Sequence, residues 1–99
     1  MKVNIQSVHF DADKNLLEFI EGRLSKLSGH FDRIIEGEVI LRLDKATNNE
    51  NKIAEIRLHV PGTDLYAKRQ CKSFEEATDQ TIDALKGQLL KHKEKVRSL

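Results

Sequence analysis

Tryptophan is absent from this chain of 99 residues, and cysteine, proline and tyrosine occur once each. The single Cys71 excludes an internal disulfide and a cysteine-cluster metal site. No apolar run approaches the ~20 residues a membrane span needs. The opening MKVNIQSVHF lacks the continuous apolar stretch of a signal peptide, so a cytoplasmic protein without membrane contact is expected. Charge of one sign is lacking too. The 17 Lys and Arg nearly balance the 16 Asp and Glu, for a net charge of +1. A uniformly basic nucleic-acid binder is thereby excluded, and any such binding requires charge sorted in space. Glycine-rich phosphate loops, His-x₃-His pairs and Cys/His clusters at metal spacing are also missing. His9, His30, His59 and His92 fall on different predicted elements or their edges. Neither a cofactor, a metal nor a small-molecule substrate is expected. Cys71 beside a histidine could form a nucleophilic pair, but a small buried residue on the last strand is the favoured reading.

What is present is clear periodicity within a length that fits one domain. Val3 and Ile5 alternate with polar residues and open a short strand. Asp11 and Asp13 can each cap the helix that follows. In that helix Leu16, Ile20, Leu24 and Leu27 form one apolar stripe. Gly29 is a stop signal, and Gly22 suggests a close approach of helix to sheet. Residues 34–44 form a strand with Val39, Leu41 and Leu43 on its apolar side. KATNNENK (45–52) is a loop. In IAEIRLHV (53–60), Ala54, Ile56, Leu58 and Val60 alternate with Glu55, Arg57 and His59. Pro61-Gly62 fits the centre of a type II turn. Residues 64–72 return as a fourth strand, with Leu65, Ala67 and Cys71 inward and Arg69 as the misfit. Ser73 and Glu76 match a capping box. Thr78, Ile82, Leu85, Leu89 and Val96 then share one sector of a long helix.

The predicted order is β-α-β-β-β-α, an α+β fold with a four-stranded mixed sheet and both helices on one face. The helix between the first two strands implies a parallel, right-handed connection. Only Tyr66, among five aromatic residues, is expected on the open face, too few for base stacking across a sheet. The last helix is the strongest functional signal. Residues 73–83 hold four acids and no Lys or Arg, whereas residues 84–99 hold five bases (Lys86, Lys91, Lys93, Lys95, Arg97) against Glu94. Helix-dipole matching explains the sign of this gradient, but it fades within one turn and explains the quantity poorly. Charge alone leaves open an RNA- or DNA-contacting helix end and a merely solvated one. Lys68, Arg69 and Lys72 before the helix, and Arg23, Lys26 and Arg33 near the first helix, are further candidates for RNA contact.

Three segments then resemble one known family. RLSKLSGHFDRI (23–34), RLHVPGTDLYAK (57–68) and QLLKHKEKV (88–96), with the opening VNIQS, are similar to the bacterial ribosome hibernation promoting factors, also called ribosome-associated inhibitors. The resemblance covers nearly the whole chain in one register. It implies a fold similar to double-stranded RNA-binding domains. It also implies a non-enzymatic, monomeric protein that occupies the mRNA and tRNA channel of the small ribosomal subunit and halts translation in stationary phase or starvation. By that resemblance, Arg23, Lys26, Arg33, Arg42, Lys45, Lys91, Lys93 and Lys95 contact ribosomal RNA, and Asp79 and Asp83 pair with bases or orient them. Glu75, Ala84 and Gly87 depart from family positions that are often aromatic or cationic, with Lys86 as a partial substitute. Ending at Leu99, the chain resembles the short form without a ribosome-pairing domain. A generic structured-RNA-binding module is the alternative reading.

Overall fold

The computed structural model describes residues 1–45 and 48–97, with side chains through residue 94. Its elements are β1 (Lys2–Val8), α1 (Lys14–His30), β2 (Glu36–Leu43), β3 (Lys52–Val60), β4 (Thr63–Cys71) and α2 (Phe74–Arg97). The strands form one sheet in the order β1-β2-β3-β4. β1 runs parallel to β2, and the β2-β3 and β3-β4 pairs are antiparallel.

Strand alternation decides which face is covered. Val39, Leu41, Ala54, Ile56, Leu58, Val60, Ala67 and Cys71 are buried on one face. Ile20, Leu24 and Leu27 of α1 and Ala77, Ile82, Leu85 and Leu89 of α2 join them in one core. A period of two on the strands thus meets a period of 3.6 on the helices. Asp13 caps α1, its carboxylate accepting from the Leu16 N–H at 2.8 Å. The helix runs one residue past Gly29 and ends at His30. Gly22 is exposed, and a Cβ there would meet nothing within 4 Å, so it marks no close approach. At Gly37 of β2 an added Cβ would lie 3.4 Å from Met1, 3.5 Å from Leu58 and 3.8 Å from Leu24, ordinary packing distances. The β3-β4 turn places Gly62 at φ +87°, as a type II turn requires. Ser73 caps α2 through its hydroxyl, which accepts from the Glu76 N–H at 3.1 Å. Among the described residues the Glu76 carboxylate does not return that bond, and it accepts from Gln80 instead. Val96, expected to extend the apolar stripe of α2, has its side chain outside the described residues.

Two buried hydroxyls on α2 differ sharply. Thr81 donates to Ala77 O at 2.7 Å and lies 3.3 Å from Ala54 O, tying α2 to β3. The Thr78 hydroxyl is fully buried without a partner among the described residues.

The open face engages several of its charges within itself. Arg42 pairs with Glu55 at 2.9 Å, and Tyr66 donates to Glu55 at 2.8 Å. The Arg57 guanidinium lies 5.7 Å from the Tyr66 ring centre, so the one aromatic of this face is already covered. His59 stands between two carboxylates, Nδ1 at 2.7 Å from Asp64 and Nε2 at 3.0 Å from Glu38. Ile53 also sits on this face, between Arg42 and Gln70 in register, yet is buried. On the free side of β4, the Gln88 side-chain amide bonds both Tyr66 N–H and Tyr66 O, at 3.3 and 2.8 Å. This blocks an edge that could otherwise pair with another strand.

Two predictions follow from this packing. Thr78→Val removes an unpaired buried hydroxyl, so its unfolding free energy stays level or rises by about 1 kcal/mol, whereas Leu85→Ala loses about 2–5 kcal/mol. Urea unfolding measures both, and a clear loss in Thr78→Val contradicts the unpaired assignment. The second concerns pH. The hydrogen bond to Asp64, then that to Glu38, hold the His59 pKa above its ordinary 6.5. A raised folded-state pKa stabilises fully below the unfolded value, and that contribution is lost as pH rises through the folded value. The stability gap between the unaltered protein and His59→Gln is therefore largest below pH 6.5 and closes above the raised pKa. A gap that does not vary with pH contradicts the pairing.

Candidate nucleic-acid interface

The expected basic residues divide into three places. The first is a groove of about 320 Å³ between the helices, lined by Arg23, Lys26, Leu27, Asp79, Ile82, Asp83 and Lys86. Here α1 and α2 lie side by side, and their facing polar positions meet across the apolar seam. Arg23 is fixed twice. Its Nε donates to Asp79 Oδ1 at 2.8 Å, and its guanidinium carbon lies 4.4 Å from the Phe19 ring centre. Both partners of this pair are 47% exposed, so it adds little stability. Its effect is orientation: the guanidinium is held at the groove by Asp79 and Phe19, with its two terminal nitrogens outside this bond. Asp79, one of the two acids that the resemblance gave as pairing with or orienting bases, is the acceptor of this bond. Phe19 was not expected, although an aromatic four residues before an arginine on a helix is a readable signal.

The second place is the end of the molecule where α1 stops. A cleft of about 440 Å³ brings Arg33 and Lys93 together with His30, Phe31, Asp32, Ile34, Val60, Pro61, Leu89 and His92. These residues come from the α1–β2 connection, the β3-β4 turn and α2. Spacing in the sequence carries no signal for such a meeting; only the topology creates it. Lys91 is exposed on α2 and does not line the cleft. The four residues from Glu94 to Arg97 carry the helix about 6 Å further. The longest dimension, 48 Å, exceeds what a nine-residue strand spans, ~30 Å, consistent with a projecting helix end. The side chains of Lys95 and Arg97 lie outside the described residues.

The third group is not brought to either place. Arg42 and Lys68 stand on the open sheet face, and Arg42 is held by Glu55. Lys45 is exposed after β2. Arg69 and Lys72 lie near the end of β4, with Arg69 donating to Lys68 O at 2.7 Å. The bases of the last strand therefore split between the two faces, because successive strand residues alternate.

Charge matching alone does not separate the two sides of the protein, since among the described residues Lys2, Arg57 and Lys68 on the open face have no carboxylate within ion-pairing distance either; what differs is the grouping of the cations. Among the described residues, Lys26, Arg33, Lys86, Lys91 and Lys93 have no carboxylate within ion-pairing distance. The carboxylates Glu38, Glu55 and Asp64 lie on the open face, already engaged. Unmatched cations at a groove and a helix end suit a polyanion that follows both.

The other candidate chemistry fares differently. Burial first, then Glu76 and Glu50, push the Cys71 thiol up from its ordinary 9.0, which disfavours the nucleophilic thiolate. Cys71 points to the helix side, whereas His59 lies on the opposite face of the sheet. Among the described residues no three His, Cys, Asp or Glu side chains converge as metal ligands. No described helix is long and apolar enough to cross a membrane.

Comparison with known proteins gives the family and the fold. The family model described as "Sigma 54 modulation protein / S30EA ribosomal protein" matches residues 3–97. The chain is 38% identical over 95 residues to a ribosome hibernation promoting factor of Azotobacter vinelandii, covering 96% of this chain and 85% of that one. It is 33% identical over 97 residues to the protein of that name from Escherichia coli K12, covering 98% of each. Among solved structures, a ribosomal subunit interface protein from Coxiella burnetii superposes with a TM-score of 0.84 at 22% identity, over 95% of this chain and 99% of that one. The N-terminal domain of Protein Y from Thermus thermophilus gives a TM-score of 0.76 at 20% identity, over 90% and 96%. These two share the β-α-β-β-β-α fold. With a family match over nearly its whole length and relatives above 30% identity, this chain belongs to the Sigma 54 modulation protein / S30EA ribosomal protein family.

Proposed function

We propose that this chain is a non-catalytic ribosome hibernation factor. As a single domain and a monomer, it occupies the mRNA and tRNA channel of the small subunit through contacts with ribosomal RNA. Occupancy alone excludes mRNA and tRNA, so no bond need be made or broken. The names of its relatives support the ribosome as target. The observation that carries the mode of binding is the unmatched set Lys26, Arg33, Lys86, Lys91 and Lys93 on the helix side and helix end. Arg23, fixed by Asp79, adds a planar donor to the same groove. Lys95 and Arg97 extend the charge along α2. Arg42, Lys45, Lys68, Arg69 and Lys72 serve as peripheral contacts at most, since they are dispersed or already paired.

Such a surface positions phosphates by charge and orientation and reads no base sequence. Its affinity is governed by counterion release. Five phosphate contacts make log K fall by roughly 3.5–4.5 per decade of salt. The test is cosedimentation with purified small subunits across a salt series. Lys91, Lys93 and Lys95 changed together to Glu abolish pelleting at physiological salt, while circular dichroism and melting stay unchanged. A folded triple variant that pellets like the unaltered protein would falsify the proposed surface.

A further inference from the structure

The cleft at the end of α1 holds more than two cations. Its floor is apolar: Ile34, Val60 and Leu89 are buried side chains whose outer edges remain open to it. Its walls carry flat rings, Phe31 and His92, both half-buried. Its mouth carries Arg33 and Lys93, both exposed and without an acidic partner among the described residues. A phosphate-only contact needs the mouth alone and gives no reason for an apolar floor. An apolar peptide side chain needs the floor alone and gives no reason for the cations. A ligand with a flat apolar face and an anionic link beside it uses both.

We propose that this cleft takes one unstacked nucleotide of single-stranded RNA. The base enters against Phe31 and His92, and its phosphate lies on Arg33 and Lys93. The volume of about 440 Å³ is in the lower part of the range for small-ligand sites, ~300–1,000 Å³, and suits one nucleotide. Aromatic and guanidinium planes are the usual platforms for bases splayed out of a strand. Asp32, the one carboxylate of the cleft, is placed to accept from a ribose hydroxyl or a base amine. α2 continues past the cleft to Arg97, so a strand leaving along the helix end meets further cations. This inference rests on the RNA-binding reading above and adds a base-holding site to it. It also separates the two surfaces: the groove between the helices meets backbone, and the cleft anchors a base.

The test uses the ¹⁵N-labelled full chain, titrated with a short single-stranded RNA and with the same RNA carrying an abasic position at its centre. The intact RNA shifts the amides of Phe31, Val60 and His92, and the abasic RNA shifts them far less. His92→Ala, which removes one ring wall from a half-exposed helix position, weakens binding of the intact RNA about tenfold, the order expected for one stacked base. Equal shifts from both RNAs mean that only phosphate binds there and overturn the proposal. So does an absence of cleft shifts, or a response to an acidic peptide in place of RNA. Cosedimentation of the unaltered chain with small subunits is run in parallel. Pelleting without a base-dependent cleft response rejects the cleft alone, whereas failure to pellet rejects the ribosomal reading itself.

Discussion

The structure depends on covering one face of a four-stranded sheet, and β3 sets that requirement. It lies inside the sheet, and Ala54, Ile56, Leu58 and Val60 present an unbroken apolar row. Fully burying side chains of this kind contributes about 1.5–3 kcal/mol each for the larger ones. Two helices are needed to cover the row and its neighbours, and they must lie side by side. The groove between them is a direct consequence. Arg23, Lys26, Asp79, Asp83 and Lys86 are the polar residues that flank the apolar stripes, so they meet where the helices touch. The same requirement fixes the length of α2. It must cross the whole sheet from Ser73 to the β3-β4 turn, and its continuation to Arg97 then projects beyond the core.

The uncovered face faces the opposite problem. Its polar residues stand on neighbouring strands, close enough to pair or repel. They pair: His59 between Glu38 and Asp64, Arg42 and Tyr66 on Glu55, Asn4 on Glu36. Net charge near zero therefore conceals an asymmetry. The sheet side engages Glu38, Glu55 and Asp64 within itself and leaves Lys2, Arg57 and Lys68 interspersed among them, while Lys26, Arg33, Lys86 and Lys93 gather unpaired at the groove and the cleft. An acidic N-terminal half and a basic C-terminal half of α2 complete that sorting. The acidic half serves the helix dipole and orients Arg23, and the basic half faces outward.

Much of this is legible in the sequence. Strands of alternating pattern and helices with apolar stripes at 3.6 spacing gave the element order, because burial is what those periods encode. Asp13, Ser73 and Gly62 announced their caps and turn through local chemistry. Gly22 and Gly37 show the limit. A helix glycine reads as a close approach, yet Gly22 faces open space, and Gly37, the glycine that touches core side chains, lies on β2. Ile53 likewise lies on the polar face of β3 yet is buried, an effect of its neighbours across the strands. For the interface, the charge gradient of α2 could be read directly, and the resemblance supplied the individual bases. The pairing of Arg23 with Asp79 spans 56 residues of sequence, and the cleft joins three separate segments. Neither could be read from spacing.

The central claim is that the helix side, and not the sheet face, meets the ribosomal RNA. Single-cysteine photocrosslinking tests it most directly, since Cys71 is buried and will not take the label. A short aryl azide is placed in turn at Gly87→Cys, exposed on α2, and at Gln6→Cys, on the open sheet face. With small ribosomal subunits, the account predicts crosslinks to ribosomal RNA from position 87 and few or none from position 6. Crosslinking mainly from position 6, or equally from both, contradicts it.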